Sequence, residues 1–161
     1  MTKTKPSPAS SLNDLLTRHP LFTDFPRPHL EAIADTASEV EVHAGQTIFR
    51  EGDEADRFYL IIEGSVVLEA FSLHYGAVAV QSLAGGDVFG WSVLVPPHRW
   101  RLDARATTDS RLITLDGPSL RAKCETNPEL GYELLKRFAM LLDQRLYAVR
   151  RQLLERQART W

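Results

Sequence analysis

The chain has 161 residues, 43% of them hydrophobic and 25% charged, with a formal net charge of −2. That suits one globular domain with its own core, and it gives no general attraction to nucleic acid. The single cysteine, Cys124, excludes an intramolecular disulfide and a four-cysteine zinc site.

Residues 1–11, rich in Ser, Pro, Thr and Lys, are expected to form a disordered tail. No apolar run follows their lysines, so they are not a signal peptide. No segment approaches the roughly 20 apolar residues that span a bilayer. No membrane contact is expected, and the cytoplasm is the default location.

Residues 12–37 read as an N-terminal helical segment. Leu12, Leu15 and Leu16 suit a short helix capped at Ser11 or Asn13 and ended by His19-Pro20. Leu30, Ile33 and Ala34 recur at helical spacing behind Pro28, which suits a first turn.

From residue 38 to residue 116 the texture is β. SEVEVHAG alternates and stops at Gly45. QTIFREGDEADRFYLIIEG is two strands about a charged turn, and SVVLEAFSL and AVAVQSLAGGDVFG continue the series. RWRLDARAT and SRLITLD close it. Short strands punctuated by turns predict a sandwich, jelly roll or barrel.

Residues 117–161 turn helical, with Asp116 and Ser119 as candidate caps. Ala139, Leu142, Leu146, Val149 and Leu153 alternate three and four apart, a coiled-coil seam. The seam predicts a parallel homodimer helix; the alternative is one amphipathic helix packed on its own sheet. Arg145, Arg150, Arg151, Arg156 and Arg159 read as a solvated face.

Two blocks carry a resemblance. In EGDEADRFYLIIEGSV the matching residues are Gly52, Asp56, Tyr59, Ile61 and Gly64. In LAGGDVFG they are Gly86, Asp87, Phe89 and Gly90. Together these resemble the cyclic-nucleotide-binding domains of the catabolite-activator and FNR-like regulators and of protein-kinase regulatory subunits. The resemblance runs over roughly residues 20 to 155. It implies a mainly β fold with α: a double-stranded β-helix, or jelly-roll-like β-roll, flanked by N-terminal helices and a long C-terminal helix. It also implies a regulatory role, that of a stand-alone sensor or adaptor signalling through its C-terminal helix, with cyclic AMP or cyclic GMP as candidate ligands and no cofactor fixed.

In that family a glutamate after Phe-Gly accepts from the ribose hydroxyl, and an arginine further on pairs with the cyclic phosphate. Here those positions are Trp91 and Trp100. The cassette then comprises Phe89, Gly90, Trp91, Ser92, Val93, Leu94, Arg99, Trp100 and Arg101. Strand alternation puts Trp100, Leu102, Ala104 and Ala106 on the inner face and Arg99 and Arg101 on the outer one. Indole N–H groups donate only, so neither tryptophan replaces a carboxylate acceptor.

Three readings follow. The indoles fill the pocket of a ligand-free interaction module; they line a pocket for an aromatic or apolar ligand; or a nucleotide still binds weakly. The histidines are too scattered for a metal site, and no nucleophile–base order or Walker loop appears, so no catalysis is expected. No recognition helix follows the long helix, so direct sequence-specific DNA binding is not expected, and any further partner would be an unknown protein.

Overall fold

The structure, a computed structural model, describes residues 8–160. Helix α1 (Pro8–Arg18) begins inside the segment expected to be a tail. Asn13 is therefore within the helix, where its carbonyl accepts the Thr17 hydroxyl at 2.8 Å, and is not its cap. Proline is tolerated in a first turn, where its missing N–H has no partner to lose. Residues 1–7 of the expected tail lie outside the described residues. A one-turn 3-10 helix, Pro20–Phe22, follows, and α2 (Arg27–Ala34) carries Pro28 in its first turn.

Eight strands follow: β1 (Ala37–Val42), β2 (Thr47–Phe49), β3 (Arg57–Glu63), β4 (Ser65–Ser72), β5 (Gly76–Ala84), β6 (Val88–Phe89), β7 (Asp103–Ala106) and β8 (Ser110–Asp116). They form two antiparallel four-stranded sheets, ordered β1-β8-β3-β6 and β2-β7-β4-β5. This is the mainly β jelly-roll architecture. Apart from the paired β4 and β5, consecutive strands cross between sheets, so residues distant in sequence meet inside the roll.

Phe58, Tyr59, Leu60 and Ile61 of β3 are all buried, so both faces of that strand are covered. Its unbroken apolar run is the sequence mark of such a strand. Leu112, Ile113 and Leu115 of β8 extend the same core.

Residues 98–102 do not continue β7 as the pattern RWRLDARAT suggested. The backbone groups of residues 98–100 pair instead with the turn after β2. The Ala55 N–H donates to the His98 carbonyl at 2.8 Å, and the Trp100 N–H donates to the Asp53 carbonyl at 3.0 Å.

The roll ends in α3 (Gly117–Thr126), capped by Asp116, whose Oδ2 accepts the Ser119 N–H at 3.0 Å. That bond and the Ser119 hydroxyl hold the Asp116 carboxyl below its usual range. Helix α4 (Pro128–Ala158) is capped by Asn127. The chain divides into two compact units, one up to Lys123 and one from Cys124. No described helix is long and apolar enough to cross a membrane.

Candidate functional site

The cassette begins where β6 delivers Phe89 to Gly90. Gly90 has φ 93°, a left-handed conformation that side chains other than glycine's resist. A four-residue 3-10 helix, Trp91–Leu94, follows, then a cis Pro96–Pro97 bond and His98 at φ 56°. The Val93 N–H is turned back toward the Gly90 carbonyl at 3.4 Å, within the short helix.

The turn after β2 clasps the far end of the cassette. Gly52, at φ 90°, donates its N–H to the Trp100 carbonyl at 2.8 Å. Arg99, which is exposed, donates through Nη1 to the Gly52 carbonyl at 3.3 Å. The Glu51 N–H reaches the Asp103 carboxylate at 2.7 Å. The block that opens at Glu51 and the end of the cassette are thus one hydrogen-bonded unit.

Trp100 points into the roll and is 4% exposed, while Arg99 and Arg101 are exposed. Its indole lies flat on Phe49 of β2, with centroids 3.8 Å apart and planes 7° from parallel. Tyr59 of β3 and Phe89 of β6 form a second stack, at 4.8 Å and 3°. Phe49 is 5.8 Å from Tyr59 and 5.9 Å from Phe89, so the four rings make one cluster. Burial, with Asp56 adding and Arg57 opposing, pushes the Tyr59 hydroxyl up to about 12. Tyr59 is therefore neutral at ordinary pH.

The indole also reaches the cassette's first turn. A Cβ on Gly90 would stand 3.2 Å from Trp100 Cη2, 3.2 Å from Tyr59 Cδ2 and 3.1 Å from the Arg57 carbonyl. Gly90 is thus needed for its φ and for this close approach. At Trp100 the chain presents a buried, uncharged ring in van der Waals contact with the cassette. An anion brought there loses its water and gains no guanidinium, an unfavourable exchange.

Trp91 differs from Trp100. It starts the short helix and is half-buried, as are Ser92 and Leu94, whereas Val93 is fully buried. The back of the cassette is tied to α3. Arg121 donates through Nη1 to the Val93 carbonyl at 2.6 Å. Gly117 donates its N–H to the Asp56 carbonyl at 2.7 Å, and a Cβ there would stand 3.2 Å from Val93 Cγ1. Sequence reasoning singled out neither Arg121 nor Phe49. Both reach the cassette from elements remote in the chain, and no local pattern marks them.

A family model described as the cyclic nucleotide-binding domain matches residues 39–127. The chain belongs to that family. This cyclic nucleotide-binding family member is 25% identical over 131 residues to the CRP-like cAMP-activated global transcriptional regulator of Mycobacterium tuberculosis. The match spans 81% of the chain and 58% of that regulator. It is 31% identical over 105 residues to the cAMP-dependent protein kinase regulatory subunit of Schizosaccharomyces pombe, spanning 65% of the chain and 24% of the subunit. The chain thus covers little more than half the length of the first relative and about a quarter of the second. Among solved structures it resembles a proposed cyclic nucleotide-binding protein from Geobacter metallireducens, at TM-score 0.74 and 31% identity over 88% of this chain and 99% of that one. It also resembles the N-terminal domain of a Streptomyces coelicolor transcriptional regulator, at TM-score 0.66 and 28% identity over 81% and 94% of the two chains.

The family member's long helix carries the expected seam residues in the open. Leu142, Leu146, Val149 and Leu153 are 41%, 54%, 45% and 56% exposed, and Ala139 is exposed as well. Leu130, Leu134 and Phe138 form a separate, buried stripe on the same helix.

Proposed function

We propose that this regulatory domain of the cyclic nucleotide-binding family works without a cyclic nucleotide, as a protein-interaction module. The observation that carries the reading is the Phe49–Trp100 stack, which puts an indole where a phosphate-binding arginine is expected. The relatives named for cAMP supply the frame, and this chain differs from the family pattern at both nucleotide anchors, Trp91 and Trp100. A charge-assisted bond contributes roughly 1.5–3 kcal/mol. Loss of both anchors removes on the order of 3–5 kcal/mol, several hundred-fold or more in affinity.

The module's output is α4. Its exposed seam pairs with a second copy of the chain, and the Arg121–Val93 bond links the cassette to the helix that precedes α4. Whatever protein docks near the cassette shifts α3 through that bond.

The test is a titration of the full chain with cyclic AMP and cyclic GMP, followed by tryptophan fluorescence and by calorimetry. No saturable signal up to millimolar nucleotide is the expected result. A saturable change at micromolar nucleotide overturns the reading and makes the protein a nucleotide sensor.

A further inference from the structure

We propose that β5 is a docking edge, along which a second copy of this chain adds its own β5 in antiparallel register about a two-fold axis at Val78. The inference goes beyond the α4 reading and does not depend on it.

The two sheets have four edge strands, and three of them are protected. β6 and β2 are two and three residues long, and β1 carries Glu39 and Glu41. Short or charged edges discourage pairing with another chain. β5 is the fourth. It runs for nine residues, contains no proline, and among the described residues has β4 as its one strand partner. Its far side presents alternate N–H and C=O groups with no strand to receive them. From Ala70 to Gly86 the chain has no Asp, Glu, Lys or Arg, although 25% of all its residues are charged.

The same β4–β5 hairpin exposes large apolar side chains. Phe71, Leu73 and Tyr75, at or beside its tip, are 69%, 92% and 83% exposed, and Val78 and Val80 are 38% and 39% exposed. The two aromatic rings alone offer on the order of 300 Å², against the roughly 800 Å² per partner of a standard interface. Apolar surface on that scale marks an interaction site. The occupant follows from charge. In a two-fold contact each patch meets its own copy, so a charged edge repels itself and an uncharged one does not. No Lys or Arg is there to hold an anionic lipid surface, and no carboxylate to hold a basic segment.

The hairpin's own pairing gives the register. Ala70 pairs with Val78, Phe71 with Ala77 and Glu69 with Ala79, and a bulge at Val80 ends this regular stretch. Opposed residues share a face, so Val78 stands on the inner face with Ala70, and Phe71, Ala77 and Ala79 stand on the outer one. The bulge bends the strand beyond Val80 and confines the contact to residues 76–80. Val78 is the midpoint of that stretch. A two-fold there sets Val78 against the partner's Val78, Ala77 against the partner's Ala79, and Gly76 against the partner's Val80. The central pair is β-branched, which suits a cross-strand contact. The alanine pairs leave a low floor between the two Phe71 rings, and Gly76, without a Cβ, leaves room for the bulged valine. Glu69, the nearest carboxylate, is already held by Arg105 Nε at 2.9 Å.

Single cysteines in a Cys124→Ser background, under mild oxidation, test the register. The two copies of residue 78 stand about 5 Å apart, within disulfide reach, so Val78→Cys forms a covalent dimer. Ala84→Cys, exposed on the same strand, does not, because its two copies lie about 40 Å apart. Linking of Ala84→Cys as readily as Val78→Cys overturns the proposal.

Sedimentation of the full chain separates this edge from α4. Leu146→Glu with Leu153→Glu puts carboxylates along the α4 seam, and that chain still self-associates. Adding Val78→Lys weakens the association about tenfold, because two like charges meet at the axis, whereas Val78→Thr keeps it. A chain made monomeric by the two α4 changes alone overturns the edge contact and leaves the helix reading standing. Association lost on Val78→Lys alone, and untouched by the α4 changes, supports the edge contact and overturns the helix reading. A monomeric natural chain that co-sediments with phosphatidylcholine vesicles gives the hairpin to a lipid surface and overturns the proposal.

Discussion

Phe49 and Trp100 stand on elements far apart in sequence, yet their rings stack at 3.8 Å with planes 7° apart. The geometry makes Trp100 part of the roll's core, and it makes the core part of the cassette. Removing the ring would therefore be felt as a loss of stability.

Trp100→Ala leaves a cavity beside Phe49, Tyr59 and Gly90. It is expected to cost about 3–5 kcal/mol of folding stability. Denaturant unfolding with Phe49→Leu and the double variant measures the ring–ring coupling, expected near about 1 kcal/mol. A coupling near zero would mean that the stack contributes only area.

Rebuilding the nucleotide anchors is the converse experiment. Trp91→Glu with Trp100→Arg places a guanidinium among Phe49, Tyr59 and Phe89. Without ligand this variant should be less stable than the natural chain, since a buried unpaired charge is costly. With cyclic AMP its melting temperature should rise, because the ligand binds only the folded state. The natural chain should show no such rise. A rise in both would show that the anchors are not what decides binding.

His19 supplies a pH dependence. It is 4% exposed, and its Nδ1 accepts the Leu21 N–H at 3.2 Å, which requires that nitrogen to be unprotonated. Burial lowers its pKa from 6.5, opposed by the carbonyls of Ile61 and Asp87 and by the Asp87 charge. In the unfolded chain His19 takes its proton near the ordinary value, and in the folded chain only at lower pH. The unfolded state thus binds more protons in that window. The contribution is complete above the unfolded value and is lost as pH falls through the folded one. Stability measured between about pH 7.5 and about pH 5.5 should fall more steeply in the natural chain than in His19→Gln. Parallel curves would place the titration elsewhere.

Arg121→Met removes the one side-chain donor shown at the Val93 carbonyl and keeps a similar apolar stem. The expected cost is about 1 kcal/mol. Hydrogen exchange should quicken at the Val93 and Val95 amides, which bond within the cassette's short helix and its exit turn, and stay unchanged in β3. Unchanged exchange at those amides would show that Arg121 does not hold the cassette.

Local rules account for much of the site. Gly52 and Gly90 stand at φ 90° and 93°, where glycine is favoured for want of a Cβ, and Asp116 caps α3 as its residue type suggests. Alternation read along RWRLDARAT separates the buried Trp100 from the exposed Arg99 and Arg101, although the strand itself begins only at Asp103, and the heptad spacing marked the exposed stripe of α4. These are properties of a residue and its near neighbours, so the chain carries them by itself. The partner of the Trp100 indole, the late start of β7 at Asp103, and the Arg121 bond to Val93 are different. Each depends on which remote segment the roll lays alongside. Backbone groups of residues 98–100 had several potential partners, and the crossing of strands between the two sheets chose the turn at Gly52–Ala55. Pairings of that kind follow from loop closure and packing of the whole roll, and no window of sequence contains them.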